Sequence, residues 1–248
     1  MALDEAVALE LAQCLGEDLA GDAADEFAVP AASVVPRPAG LDATAAAALW
    51  VAYSTAYGAL VEKAATRPGD HVLITAASSA VGLAAIQVAR QLGAVPLAVT
   101  RSGAKKDALL AAGAEAVIAT DRDDVSEAVH RHTGGAGADT ILDTVMGPGL
   151  ADLSKAAKPG GTLVTAGWLD PRPASFPMNW PLTIIGYASF EHTLDPTVVR
   201  RIAAFLEAGL RTGALRPTVD RVFGLDDIVA AHAYLEEGRQ VGKIVVTV

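Results

Sequence analysis

Residues 76–82 and 100–106 hold the residue types that bind an anionic nucleotide. In the first stretch, the small residues 76–80 follow the apolar run 72–74 and lead into a helix with apolar periodicity. A pyrophosphate requires close approach to the backbone and free N–H groups at a helix N-terminus, and small residues permit both. Only Gly82 remains of a G-x-x-G-x-x-G pattern. The stretch predicts a dinucleotide-binding turn, and a fold of this type without a cofactor is the alternative.

The second stretch, Thr100-Arg101-Ser102-Gly103-Ala104-Lys105-Lys106, indicates which nucleotide would bind. An NAD site places an acidic residue at the end of the second strand, where it binds the ribose hydroxyls. This chain has cations and a hydroxyl there, which suit the 2′-phosphate of NADP(H) because that group accepts charge-assisted hydrogen bonds. Cations at a helix N-terminus otherwise oppose the helix dipole. NADP(H) is therefore predicted over NAD(H), and a solvated helix start is the alternative.

Strands and helices alternate through the middle of the chain. The predicted strands are 72–75, 95–100, 116–119, 140–143 and 162–166. The helices predicted between them are 81–92, 104–112, 124–133 and 149–157. Because the strands are continuous apolar runs, helices are expected to cover both faces of the sheet. Right-handed crossovers then predict an α/β fold with a doubly wound parallel sheet.

The regions on either side of this alternation are predicted more coarsely. Before it, Asp42 or Thr44 caps a helix over 45–61. After it come a strand at 182–187, a helix at 196–209 with a glycine stop, an extended stretch at 219–223, a helix at 225–237 and a strand at 243–248.

The first 23 residues show an i, i+4 apolar stripe that predicts an amphipathic helix. From Met1 to Pro36 there are eight carboxylates and no Lys or Arg. This helix is expected to cover an edge of the main domain, and a partner-binding helix is the alternative. Residues 27–30 and 34–38 are predicted to be extended because prolines interrupt them.

Composition excludes several classes of protein and site. The net charge of −10 argues against nucleic acid and anionic membrane surfaces as partners. A single cysteine excludes a disulfide framework and a Cys-rich zinc site, and His130-x-His132 is interpreted as a solvated helix end, so no metal is predicted. No secretory signal and no membrane-spanning run is found, which predicts a soluble, cytoplasmic protein.

Several motifs occur in an order that is specific as a set. They are residues 46–60, similar to a hinge helix, then Pro68-Gly69-Asp70, 77–82, Gly113-Ala114, 133–139, 143–147, 158–161 and 241–245. Together they resemble the zinc-independent, quinone-oxidoreductase-like branch of the medium-chain dehydrogenase/reductases over roughly residues 25–248. The resemblance implies a Rossmann-type sheet and an NADP(H)-dependent oxidoreductase.

The resemblance also implies a role for each matching position. Along the cofactor these are Ala77, Ser78, Ala80 and Val81 at the pyrophosphate turn; Arg101, Ser102 and Lys105 at the 2′-phosphate; Thr144 and Val145 beside the ribose and nicotinamide; Gly167 at the floor; and Gly242 with Lys243 closing over it. Thr55 would lie near the nicotinamide. Residues 183–187 resemble the strand through which such enzymes form homodimers.

The N-terminal part departs from the family pattern. A GroES-like catalytic domain normally precedes the nucleotide-binding domain and forms most of the substrate pocket. Residues 1–40 are expected to be an N-terminal helix and the remnant of that domain, and residues 41–248 to form the nucleotide-binding domain with the hinge helix. The chain is thus expected to be truncated, with an open substrate side.

The candidate catalytic residues are Tyr53 and Thr55. Tyr53 would donate a proton or hydrogen bond, and packing between the hinge helix and neighbouring loops is the alternative. Further candidates near the cofactor are Asp143, Trp168, Phe190, Glu191 and His192. Glu191 and His192 could form an acid/base pair, and exposed loop charges are the alternative. Trp168 and Trp180 could form the walls of an apolar pocket, and ordinary anchoring of loops is the alternative.

Two function classes remain open. The first is an NADPH-dependent reductase of a small apolar enone, quinone or related carbonyl. The second is a non-redox descendant, either a cyclase or isomerase that uses the cleft left by the missing domain, or a non-catalytic partner.

Overall fold

The computed structural model describes residues 6–8, 35–179 and 181–248, and the fold is given for those residues. The strands are β1 (Ala6–Ala8), β2 (His71–Ile74), β3 (Val95–Thr100), β4 (Ala116–Ala119), β5 (Ala138–Asp143), β6 (Ala157–Thr165), β7 (Leu182–Gly186), β8 (Val219–Gly224) and β9 (Lys243–Thr247). Among the described residues, six of them form a parallel sheet in the order β4-β3-β2-β5-β6-β7. Strands β3 and β4 lie on one side of β2, and the next strand along the chain, β5, lies on its other side. Nucleotides bind at such a switch point, where the order of strands reverses.

The helices lie between these strands and after them. They are α1 (Ala43–Ala47), α2 (Trp50–Tyr57), α3 (Ala80–Gln91), α4 (Lys106–Ala111), α5 (Val125–His132), α6 (Leu150–Ser154), α7 (Phe190–Thr193), α8 (Pro196–Thr212) and α9 (Ile228–Glu236). Short 3-10 turns precede α4, α6 and α9.

Two apolar layers enclose the sheet. On one face, one core cluster holds Leu60 from the π-helical turn that follows α2, Ile86 from α3 and Leu206 from α8, all at most 1% exposed. On the other face Val129 of α5 and Leu150 of α6 share a cluster with Ile141 of β5. Because helices cover both faces, the strands have no polar side to present to water. The predicted fold class, a doubly wound parallel α/β sheet, is confirmed.

The hinge helix is interrupted. Asp42 caps α1 by accepting the Ala45 N–H at 2.7 Å, one of the two predicted caps. The helix breaks at Ala48 and Leu49, resumes as α2, and continues as a π-helix over Gly58–Lys63. By length and composition Ala43–Lys63 could cross a membrane, but 61% of its apolar window is buried inside the protein, as in a core helix.

A second sheet carries the C-terminus. Among the described residues it has the order β1-β9-β8, with β8 parallel and β1 antiparallel to β9. The helix predicted over residues 1–23 is wrong at Ala6–Ala8, because the backbone there is extended and pairs with β9. The rest of that predicted helix and the extended stretch at 27–30 lie outside the described residues.

The predicted glycine stop of α8 is also misplaced. The helix passes Gly209 and ends at Gly213, whose φ of +72° suits a left-handed cap. Gly209 is needed for packing instead, because a Cβ there would collide with Leu215 of the following loop.

Candidate cofactor site

The turn between β2 and α3 is shaped by short contacts of the backbone. Ala76 has a φ of +43°, and the Ala77 N–H donates to the Val99 oxygen at 3.0 Å. Ser79 caps α3 by accepting the Gly82 N–H at 3.0 Å. A Cβ on Gly82 would lie 2.6 Å from the Ala76 oxygen, so only glycine lets the helix pack this closely on the turn. The turn leaves the N-terminus of a 12-residue helix facing the switch point.

The positions predicted for the pyrophosphate turn do lie here. Ala77 is fully buried under the turn, and Ser78, Ala80 and Val81 are partly exposed at its mouth.

The cations predicted for the 2′-phosphate lie beside this turn. The Lys105 Nζ donates to the Ser78 Oγ at 3.3 Å, and the Arg101 guanidinium donates to the Gly238 oxygen at 3.2 Å. We call these two cations, together with the Ser78 hydroxyl that Lys105 contacts, the cation cluster. Burial and the neighbouring Arg101 lower the pKa of Lys105, an effect that the carboxylate of Asp220 opposes. Ser102 begins the 3-10 turn Gly103–Lys105 in an extended conformation, with no side-chain cap bond.

Residues 238–242, which we call the strap, close this end of the site. The Lys105 Nζ donates to the Gly238 oxygen at 3.0 Å and the Gln240 oxygen at 2.7 Å. The Gly242 N–H donates to the Ser78 oxygen at 3.0 Å. Gly242 has a φ of +103°, and a Cβ there would lie 2.9 Å from the Thr218 methyl group. The next residue, Lys243, is 6% exposed at the start of β9, and its N–H donates to the Thr218 oxygen.

The other end of the site follows β5. The Asp143 carboxylate is 1% exposed and accepts from the Thr75 hydroxyl at 2.7 Å and from the N–H groups of Val145 and Met146 at 3.1 and 2.9 Å. Asp143 therefore fixes the loop 143–146 and has its oxygens occupied. These contacts favour a structural role for Asp143 over a catalytic one.

Thr144 is the polar residue of this loop that remains available. Its side chain is 6% exposed, and its hydroxyl oxygen has no hydrogen-bond partner among the described residues. Gly167 lies against it, since a Cβ on Gly167 would be 3.2 Å from the Thr144 oxygen. An orphaned hydroxyl held in this way is costly unless a ligand pairs with it. The predicted positions Thr144, Val145 and Gly167 are thus brought together at the ends of β5 and β6.

The structure corrects the catalytic role predicted for Tyr53. Its side chain is 2% exposed, and its hydroxyl donates to the Gln87 Oε1 at 2.8 Å. The same oxygen accepts the Arg216 N–H at 2.7 Å. Desolvation strongly raises the pKa of Tyr53. Tyr53 packs between α2 and α3, whereas the alternative was packing against neighbouring loops, and its phenol is enclosed rather than presented to a substrate. Thr55 is also buried on α2, at 7% exposure.

Glu191 and His192 have separate partners. Glu191 forms an ion pair with Lys63 at 2.6 Å, and the His192 Nδ1 lies 3.2 Å from the Tyr187 hydroxyl. The hydrogen bond from Lys63 lowers the pKa of Glu191, while burial and Lys63 lower that of His192. The predicted acid/base pair is therefore not assembled here.

A shallow cleft opens at the ends of β6 and β7. It has a volume of about 330 Å³, and its lining includes Met146, Thr165, Gly167, Trp168 and Tyr187. We call it the open cleft. Trp168 is 75% exposed at its rim, and Phe190 is 56% exposed nearby. Trp180, the other predicted wall residue, lies outside the described residues.

A nicotinamide nucleotide fits the residues that are present. The helix N-terminus, the small turn, the cation cluster and the orphaned Thr144 hydroxyl match its pyrophosphate, phosphate and ribose groups. Within residues 6–8, 35–179 and 181–248, no group of three or more His, Cys, Asp or Glu could hold a metal ion. A zinc site does not fit this part of the chain.

Sequence reasoning missed the residues that hold these groups in place. The carbonyls of Gly238 and Gln240 bind Lys105, and Asp220 holds the next residue, Val241. All three lie 115 or more residues after Lys105, and a backbone oxygen cannot be recognised from residue type. Thr75 could have been found, because it ends the strand that leads into the turn.

Comparison with known proteins gives the family. Residues 112–246 match the family model described as zinc-binding dehydrogenase. The chain belongs to this family of dehydrogenases and reductases, which confirms the resemblance found in the sequence.

Individual relatives are similar over most of this chain. Human quinone oxidoreductase is 30% identical over 217 residues, which are 86% of this chain and 65% of that protein. The spectinabilin polyketide synthase system protein NorB of Streptomyces orinoci is 35% identical over 216 residues, which are 86% of this chain and 10% of that protein. The crystal structure of CurK enoyl reductase matches with a TM-score of 0.74 at 26% identity, over 86% of this chain and 65% of that one.

The chain therefore spans about two thirds of the quinone oxidoreductase and a tenth of the polyketide synthase protein.

Proposed function

We propose that this chain binds NADPH and reduces a small apolar enone, quinone or related carbonyl. The observation that carries the proposal is the cation cluster at the end of β3. Arg101 and Lys105 stand where an NAD site would hold an acidic residue, and both lie next to the pyrophosphate turn through Ser78 and the strap. Two cations in that position favour a nucleotide with a 2′-phosphate.

Each part of the nucleotide has a partner along the site. The N–H groups at the start of α3 would hold the pyrophosphate, and Arg101 with Lys105 the 2′-phosphate. The Thr144 hydroxyl would bond to the ribose or the nicotinamide amide. Bound NADPH supplies a hydride, and the protein supplies binding, orientation and exclusion of water.

The open cleft supports an apolar substrate. Its lining includes Met146, Trp168 and Tyr187, and it lies beside Gly167 and Thr144, where the nicotinamide would bind. The similarity to a quinone oxidoreductase and to an enoyl reductase supports the same substrate class, an acceptor with a polarised double bond.

We also propose that two copies pair through residues 183–187. Strand β7 is the last strand of the main sheet, so in the described fold its outer edge has no neighbour. An unpaired edge is a template for a further strand. Sedimentation of the purified chain should give twice the 25.3 kDa mass of one copy, and a monomer at micromolar concentration would rule this out.

The reductase proposal is tested by turnover with matched substrates. NADPH consumption is measured with α,β-unsaturated ketones, with quinones and with the saturated counterpart of each ketone. We expect consumption with unsaturated acceptors, none with the saturated ones, and slower consumption when NADH replaces NADPH.

The other outcomes separate the alternatives. NADPH binding without consumption across the panel would contradict the reductase and favour the non-redox class. Absence of NADPH binding would contradict both the cofactor and the activity.

A further inference from the structure

We propose that Asp220 is a positioning residue that sets the preference of this chain for a 2′-phosphorylated nucleotide, acting through the strap and Lys105. The inference rests on the proposed function, since it takes the cation cluster to be the phosphate site. Among the described residues, Asp220 forms no hydrogen bond to the cation cluster or to the turn.

Both oxygens of the Asp220 carboxylate have partners on different elements. One oxygen accepts the Val241 N–H in the strap at 2.9 Å. The other accepts the hydroxyl of Tyr234, on α9, at 2.8 Å. The Tyr234 ring lies under the guanidinium of Arg221, 4.2 Å from its centroid. Asp220, on β8, thus ties the strap to both β8 and α9.

The strap in turn fixes the ammonium of Lys105. Its Nζ has three acceptors: the Gly238 oxygen at 3.0 Å, the Gln240 oxygen at 2.7 Å and the Ser78 Oγ at 3.3 Å. Two of them are carbonyls of the strap, and Gln240 directly precedes the residue that Asp220 holds. The two strap carbonyls keep Lys105 beside the pyrophosphate turn, and a 2′-phosphate would take over the N–H that makes the longest of the three bonds, the one to Ser78.

Fixing Lys105 in advance matters because its side chain is flexible. Holding a free lysine costs up to about 2 kcal/mol of rotamer entropy, and a preorganised one has already lost that freedom on folding. Without its anchor at Asp220, the strap would hold Lys105 less well. The nucleotide would then have to order the side chain on binding, at a cost of roughly tenfold in affinity.

The effect should come from the hydrogen bonds of Asp220 and not from its charge. The negative charge favours the protonated form of Lys105, but it would also repel an incoming phosphate. Asp220→Asn keeps an oxygen for the Val241 N–H and an amide for the Tyr234 hydroxyl while it removes the charge. Asp220→Ala removes both hydrogen bonds. The two variants therefore separate geometry from charge.

The experiment measures dissociation constants for 2′,5′-ADP and 5′-AMP by isothermal titration calorimetry. The ratio of the two reports recognition of the 2′-phosphate alone. We expect Asp220→Ala to reduce this ratio by roughly tenfold through weaker 2′,5′-ADP binding, with 5′-AMP binding unchanged. Asp220→Asn and the matched control Asp226→Ala, which removes another exposed carboxylate near α9, should keep the wild-type ratio.

Other results overturn the inference. If Asp220→Ala keeps or increases the preference, Lys105 does not depend on the strap. Equal weakening of both nucleotides would show a general structural role. Tyr234→Phe, which removes one of the two partners of Asp220 and keeps the ring, provides a milder variant and should reduce the ratio by a smaller factor. A wild type with no preference for 2′,5′-ADP would instead overturn the proposed function itself.

Discussion

The two ends of the candidate cofactor site differ in how completely this chain builds them. At the cation cluster, charged side chains, a helix N-terminus and the strap surround the space, and three hydrogen bonds hold Lys105 while one holds Arg101. At the open cleft, apolar side chains line a shallow surface, and Trp168 is 75% exposed. The groups that would bind a nucleotide are therefore held in place by described residues of this chain, whereas the described residues do not enclose the open cleft.

This contrast suggests what each end can tolerate. Binding at the cation cluster depends on the direction and length of hydrogen bonds, so substitutions of single side chains there should alter nucleotide affinity without altering the fold. The open cleft depends on apolar area, so changes there should alter the substrate and leave the nucleotide untouched.

The largest effect is expected from the double variant Arg101→Ala with Lys105→Ala. Each hydrogen bond to a charged group contributes about 1.5–3 kcal/mol, so the dissociation constant of NADPH should rise by about a hundredfold or more. NADH binding should stay within about threefold, since NADH has no 2′-phosphate. Fluorescence titration with both nucleotides measures this. Equal loss for NADPH and NADH would show that the assignment of the phosphate site is wrong.

Gly82→Ala should lower the free energy of unfolding. The added Cβ would lie 2.6 Å from the backbone of Ala76 and Ala77, so α3 must move off the turn, at a cost of about 1–3 kcal/mol. Urea denaturation measures the change. Gly149→Ala is the matched control, because a Cβ there meets nothing within 4 Å. Equal stability of both variants would contradict the tight packing of α3 on the turn.

Thr144→Val should separate cofactor binding from stability. Valine has the shape of threonine but removes a buried hydroxyl that has no partner among the described residues, so the unliganded protein should be equally or more stable. Cofactor affinity should fall by about threefold to tenfold, since one hydrogen bond is lost. Thermal melting and NADPH titration measure the two effects, and Thr144→Ser should restore binding. Unchanged affinity in the valine variant would place the cofactor elsewhere.

Trp168→Ala should have the smallest effect on the protein and act on the substrate alone. Because the side chain is 75% exposed, stability should change by less than about 0.5 kcal/mol, and NADPH affinity should not change. The KM for an apolar acceptor should rise. Leu194→Ala, equally exposed at 74% but not part of the cleft lining, is the control. If only Leu194→Ala raised the KM, the substrate would bind at the surface around Leu194 and not in the open cleft.

The same contrast explains what the sequence could reveal. Continuous apolar strands, the small turn before α3 and the cations after β3 are local patterns, and each was predicted from its own residues. Tyr53 was misjudged because the pattern shows a tyrosine on a helix but not its partner Gln87, which lies 34 residues away. The strand at Ala6–Ala8 depends on pairing with β9 near the other end of the chain, and residue periodicity favoured a helix there.

On the proposal made above, the described residues of this chain supply the groups that bind each part of the nucleotide. Titration of the purified chain with NADPH and with NADH, followed by fluorescence, tests it most directly. The structure predicts saturable binding of NADPH at least about tenfold tighter than that of NADH, as expected for even one charge-assisted hydrogen bond to the 2′-phosphate. Equal affinity for the two nucleotides, or no NADPH binding at millimolar concentration, would contradict it.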